Sequence, residues 1–210
     1  MKKNCTEVVF VLDRSGSMCG LEKDTIGGFN SLINKQKKQD VEVLVSPVLF
    51  NDSSVVIHDR KPIDEVRLMT NKDYEVYGCT ALLDALGSSI RHIGNIHKYA
   101  RIEDVPEHTM FVIITDGMEN ASRYYSKERV KSMIEYEKEK YGWEFLFLAA
   151  NMDAIDTASQ YGIDKDHAVN YQCDSVGTRL NYEVLDEAIQ CICSGVPLSK
   201  SWKSKIEKRK

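Results

Sequence analysis

A doubly wound α/β architecture best accounts for this chain of 210 residues: a mostly parallel central sheet with one antiparallel strand, covered by helices on both faces. Three features point to it. Apolar runs at Val8 to Leu12, Met110 to Thr115 and Phe145 to Ala150 lack polar alternation, as do strands buried on both faces of a parallel sheet. Helical repeats separate these runs. The stretch VEVLVSPVLFNDSSVVIHD sets two β-rich segments around Asn51-Asp52-Ser53-Ser54 and reads as a hairpin.

In chain order, the first strand feeds a helix over about Leu21 to Lys38, and the hairpin follows. Leu83, Leu86, Ile90, Ile93 and His97 then recur at three- and four-residue steps, which predicts an amphipathic helix. Beyond the Met110 strand, Val130, Met133, Ile134 and Tyr141 repeat in the same way after Ser126, a fitting N-cap. A short helix and a strand near His167 to Tyr171 follow the Phe145 strand. Leu180, Val184, Ala188 and Ile192 mark the last helix.

With 42% apolar residues the chain holds enough core for one domain, over residues 1–197. Residues 198–210 carry six basic side chains and one acidic one around a tryptophan and read as a flexible basic tail. Lys and Arg total 28 against 32 for Asp and Glu, a net charge of −4. That balance offers no general attraction to nucleic acid or anionic lipid, so a nucleic-acid contact is expected at most weakly, through the tail. No apolar segment approaches the ~20 residues of a membrane span, and no export signal is visible, so a soluble, cytoplasmic protein is expected. The six cysteines form no CxxC pair and are expected to be free thiols.

Polar residues collect where the strands end. The first strand runs into Asp13, Ser15 and Ser17; the central strand ends in Thr115-Asp116-Gly117; and Gly78-Cys79-Thr80-Ala81 precedes the Leu83 helix. In an open α/β sheet the carboxyl ends of the strands line one crevice, so these groups should face one point. Short oxygen donors with two charges suit a hard cation such as Mg²⁺ or Mn²⁺, whereas zinc favours His or Cys.

Taken together, Asp13-Arg-Ser15-Gly-Ser17-Met, Gly78-Cys-Thr80-Ala-Leu and Ile114-Thr-Asp116-Gly117 resemble, in order, the three motifs of von Willebrand factor A (vWA) domains. Those domains are Rossmann-like, and their metal-ion-dependent adhesion site (MIDAS) uses DxSxS, a threonine and an aspartate. The resemblance covers about residues 5–195 and implies Ser15, Ser17 and Thr80 as hydroxyl ligands, with Asp13 and Asp116 binding directly or through water. Cys79 stands where the family often has a second glycine, which would set a thiol beside the site and near Cys19. The resemblance also implies a binding module without catalysis, in which the metal captures an Asp or Glu carboxylate of a protein partner. Met18, Tyr77, Met118, Glu119, Asn120, Asn151 and Met152 flank the strand ends and form the expected partner-binding rim.

The alternative is a metal-dependent phosphohydrolase, or another hydrolase, using the same Asp/Ser cluster. A haloacid-dehalogenase-type phosphatase needs an aspartate where Ser15 stands, and the G-x-S-x-G elbow is absent because the serine in Gly16-Ser-Met-Cys-Gly20 comes one position early. No histidine follows a strand end within the motifs to act as a base. Neither a G-x-G-x-x-G loop nor a Walker sequence is present, and Gly27-Gly28 falls inside the first helix, where close packing explains it.

Overall fold

The computed structural model describes residues 1–209; Lys210, the end of the expected tail, lies outside them. In chain order the elements are β1 (Lys2–Asp13), α1 (Glu22–Gln36), β2 (Glu42–Phe50), β3 (Ser54–Val56), β4 (Lys61–Pro62), α2 (Leu82–Tyr99), β5 (Pro106–Thr115), α3 (Lys127–Tyr141), β6 (Glu144–Ala149), α4 (Ala154–Gln160), β7 (Ala168–Asn170), α5 (Ser175–Cys193) and α6 (Ser204–Glu207). The sheet runs β3-β2-β1-β5-β6-β7, with β4 also on β2. All pairs from β2 through β7 along this order are parallel. β3 closes the expected hairpin antiparallel to the end of β2, and the two residues of β4 pair antiparallel nearer its start.

Because side chains alternate along a strand, the apolar run of β1 serves two cores at once. Val8, Phe10 and Leu12 face α1 and α5, whereas Val9 and Val11 face α2, α3 and α4. This explains why the strand sequences show no polar alternation. Ser126 caps α3 as expected, accepting from Arg129 N–H, and Gly142 ends that helix in the left-handed conformation at φ 67°. Gly28 of α1 leaves room for the ring of Tyr182 on α5, where a Cβ would lie 2.2 Å from the ring.

The expected flexible tail is corrected over its described residues. Trp202 is 5% exposed, with Ile206 and Lys203 buried beside it. The Trp202 indole donates to the Asp166 carbonyl at 2.8 Å, and Lys203 Nζ donates to the carbonyls of Lys165 and Ala168, each at 2.8 Å. The apolar side chains cover the β7 edge of the sheet, while the basic ones find carbonyls and carboxylates. α5 is therefore not the last helix. Among the described residues, no helix is long and apolar enough to cross a membrane.

Candidate functional site

Sheet order brings the three motifs together. β1 lies between β2 and β5, with Asp13 opposite Phe50 and Leu12 opposite Ile114, so Asp13 comes level with Thr115 although 102 residues separate them. The chain leaves β1 toward α1 on one face and β5 toward α3 on the other, which opens a crevice between the two strand ends.

Asp13 is buried and held at every oxygen. Its Oδ1 accepts from Ser15 N–H at 2.7 Å, its Oδ2 accepts from Thr115 Oγ1 at 2.5 Å, and its carbonyl accepts from Tyr74. Burial pushes the Asp13 carboxyl above the usual carboxylate range; the bonds from Thr115 and Ser15 offset part of this, and the Asp116 charge adds to it. A buried carboxylate held in this way is poised to gain from a nearby cation.

The hydroxyls meet over Gly117. Ser15 Oγ and Ser17 Oγ are 3.1 Å apart, and Ser17 Oγ donates to Asp116 Oδ1 at 2.5 Å. A Cβ on Gly117 would lie 2.9 Å from Thr80 Oγ1, 3.2 Å from Ser17 Oγ and 3.8 Å from Ser15 Oγ. Glycine thus leaves a space lined by three hydroxyl oxygens, with Asp13 and Asp116 beside them. Among the described residues no three His, Cys, Asp or Glu side chains form a ligand set, so a cation here would rely on hydroxyl oxygens as much as on charge. The all-oxygen donor set fits a hard divalent ion.

Neighbouring loops fix Thr80. Its N–H donates to Asn120 Oδ1 at 2.9 Å, and its carbonyl accepts from Asn120 N–H at 3.1 Å. Gly16 N–H donates to the Gly78 carbonyl at 3.0 Å, tying the serine loop to the threonine loop. Gly78 sits at φ 78°, and a Cβ there would strike the Asp52 carboxylate at 1.9 Å. The Asn51-Asp52 turn does more than close a hairpin: Asn51 Nδ2 donates to the Tyr77 carbonyl, Asn51 O accepts from Ala81 N–H, and Asp52 Oδ1 accepts from Cys79 N–H. A turn dipeptide gave no hint of this clamp, because its partners lie in a distant loop.

The expected rim divides. Tyr77 and Met118 are 52% and 70% exposed, while Met18 is 2% exposed and packs in the core on the α1 side, which corrects its place on the rim. Glu119 turns inward: its carboxylate accepts from the N–H groups of Leu83, Ala121 and Ser122 and so caps the start of α2. Asn120 is occupied with Thr80. Asn151, at φ 57°, donates to the Asp116 carbonyl at 3.2 Å, and Met152 packs partly buried against the α2 side.

One thiol touches the cluster, and it is neither Cys19 nor Cys79, both of which are exposed. Cys173 Sγ donates to Asp116 Oδ2 at 3.3 Å. Burial, then the hydrogen bond to Asp116, pushes this thiol up to about 12, so it stays protonated and acts as a donor. Nothing near Cys173 in the sequence marks it. All six cysteines are unpaired.

No protein-family model matches the chain, and no curated protein does. Several solved structures share its fold. The vWF domain of the type V pili tip protein Mfa5 from Porphyromonas gingivalis superimposes with a TM-score of 0.65 at 11% identity, covering 92% of this chain and 97% of that one. Proximal thread matrix protein 1 from the mussel byssus, with a zinc-occupied MIDAS motif, matches with a TM-score of 0.60 at 14% identity over 90% of this chain and 47% of that one. A von Willebrand factor type A structure from Catenulispora acidiphila gives 0.56 at 12% identity over 88% and 42%. The chain therefore has a vWA-like fold, and it spans about half the length of the last two of these proteins.

Proposed function

We propose that this chain is a divalent-metal-dependent protein-binding module in which Asp13, Ser15, Ser17, Thr80 and Asp116 hold one Mg²⁺ or Mn²⁺ and an Asp or Glu of a protein partner completes the site. The observation that carries this reading is the space over Gly117, bounded by three hydroxyls and flanked by two carboxylates. When bound, the ion supplies an electrophilic position that an anionic oxygen can fill. Asp13 and Asp116 at most neutralise its charge, which leaves room for a third carboxylate. Zinc in the MIDAS of the mussel protein supports divalent occupancy in this fold; the oxygen-only donors here favour Mg²⁺ or Mn²⁺.

The chain's own residues prepare the site. Thr115 and Ser15 orient Asp13, Asn120 orients Thr80, and exposed Tyr77 and Met118 flank the opening as contact surface for a partner. Six unpaired thiols fit a reducing, cytoplasmic setting.

Calorimetry with Mn²⁺ tests the site: wild type should bind one ion, and Asp13→Ala/Asp116→Ala should not. Equal binding by both would show that the ligands are misassigned. For the partner, capture from lysate should be abolished by EDTA and by Thr80→Ala without unfolding; capture that persists through both counts against an adhesion-type mechanism. The hydrolase alternative rests on the 2.5 Å bond between Ser17 and Asp116, a hydroxyl paired with a carboxylate. Metal-dependent turnover of generic phosphate or ester substrates that Asp13→Ala abolishes would replace the binding reading.

A further inference from the structure

At the opposite edge of the sheet, where β5 begins and Trp143 precedes β6, lies a cavity of about 210 Å³. Its walls are largely apolar: Ile102, Val105, Pro106, Tyr141 and Trp143. The Trp143 ring is buried in an aromatic stack, 5.4 Å from the Phe111 centroid at 17°, with His97 edge-on at 5.4 Å.

One wall residue is anomalous. Glu137 of α3 is only 9% exposed, and its Oε2 is buried without a hydrogen-bond partner. An unpaired buried carboxylate oxygen is costly, so each such group calls for an explanation. The side-chain cations around it are engaged elsewhere, and Met1 with its terminal ammonium also lines the cavity. His97 Nε2 is 2.6 Å from Glu7 Oε2, Lys98 lies over the Tyr99 ring, and Lys140 Nζ donates to Tyr136 at 2.6 Å while lying over the Tyr136 and Tyr141 rings. The other carboxylate at the cavity, Glu107, accepts from Asn4 N–H at 2.9 Å. Burial raises the Glu137 carboxyl above its usual range, and the charges of His97 and Lys140 offset this only in part.

Two further features favour a cation at this place. α2 and α3 both end at the cavity, which puts the partial negative charge of two helix C-termini beside it. Gly94 of α2 gives the carboxylate clearance, since a Cβ there would lie 3.2 Å from Glu137 Oε1.

We propose that this cavity is a second ligand site, separate from the metal cluster, for a small primary ammonium compound bearing an aryl or alkyl group. The ammonium donates to Glu137, and its apolar body lies against Trp143 and Tyr141.

The test uses the full chain with three probes of similar shape: phenethylammonium chloride, phenethyl alcohol and phenylacetate. Binding is read by calorimetry and by the Trp143 indole N–H signal, assigned with Trp143→Phe. Phenethylammonium should bind saturably and shift that signal, while the alcohol and the acid should bind at least about tenfold more weakly, as expected for loss of a charged hydrogen bond. Glu137→Gln should weaken the amine by a similar factor, and Asp13→Ala/Asp116→Ala should leave it unchanged. The proposal is overturned if the Trp143 signal does not move, if phenylacetate binds as tightly as the amine, if Glu137→Gln binds normally, or if the metal-site variant loses the amine. Should Glu137→Gln fail to fold, comparison of amine and alcohol on the unaltered protein still decides.

Discussion

Arg209 grips Asp174 with both guanidinium nitrogens, Nη1 to Oδ1 at 2.8 Å and Nη2 to Oδ2 at 2.7 Å. Gln172 Nε2 meanwhile donates to the Arg209 carbonyl at 3.0 Å. The segment held between them contains Cys173, the thiol that donates to Asp116. The C-terminal residues thus brace one wall of the candidate metal site.

This pair gives a pH prediction. The Arg209 guanidinium, with help from Gly177 N–H, lowers the Asp174 carboxyl from 3.8 to about 2. A depressed folded-state value contributes stability that is present above the unfolded value and lost as pH falls through the folded one. Urea melts of wild type and Arg209→Ala should differ near neutral pH and converge between about pH 4 and about pH 2, with the difference shrinking in high salt because the pair is exposed. A difference that does not change over that range would show that Arg209 acts through packing alone.

The tail should also carry stability of its own. Trp202→Ala removes a buried ring and its bond to Asp166, and should cost about 3–5 kcal/mol in denaturant unfolding. A cost near zero would restore the picture of a detached tail.

Gly117→Ala tests the hydroxyl cradle directly. The added methyl would crowd Thr80 Oγ1 and Ser17 Oγ, so Mn²⁺ affinity should fall by about tenfold to hundredfold, a loss typical of disturbing a metal's supporting groups. The circular dichroism spectrum should be unchanged. Unaltered Mn²⁺ binding would place the ion elsewhere.

Burial separates the two methionines of the expected rim. Met118→Ala and Tyr77→Ala should weaken partner capture with metal affinity and unfolding midpoint intact. Met18→Ala should instead destabilise the fold by about 2–5 kcal/mol. Capture that ignores both exposed positions would move the partner surface away from this edge.

Glu7, fully buried in β1, is met by Arg60 Nε at 2.7 Å and by His97 Nε2 at 2.6 Å. Arg60→Ala would leave that buried carboxylate with His97 as its one remaining partner and should cost about 3–5 kcal/mol. Adding Glu7→Gln should recover part of the loss, and an absence of recovery would show that the cost comes from the lost Arg60 packing.

Much of this protein was legible in the chain alone. Uninterrupted apolar runs at Val8, Met110 and Phe145 marked strands buried on two faces, because only such strands can afford no polar side. Repeats of three and four residues located α2, α3 and α5, and the strand-end rule sent Asp13, Ser15, Ser17, Thr80 and Asp116 to one edge. Periodicity reports which face of its own element a side chain occupies. It is silent on which side chains from different loops will touch, and that was settled by the placing of β1 between β2 and β5 and by the register between them. Hence the contact of Cys173 with Asp116, across 57 residues, and that of Trp202 with Asp166, across 36, left no local trace. The burial of Met18 beside exposed Ser17, the inward turn of Glu119 and the orphaned oxygen of Glu137 were likewise decided in tertiary packing, where neighbours from several elements compete for the same space and the same hydrogen bonds.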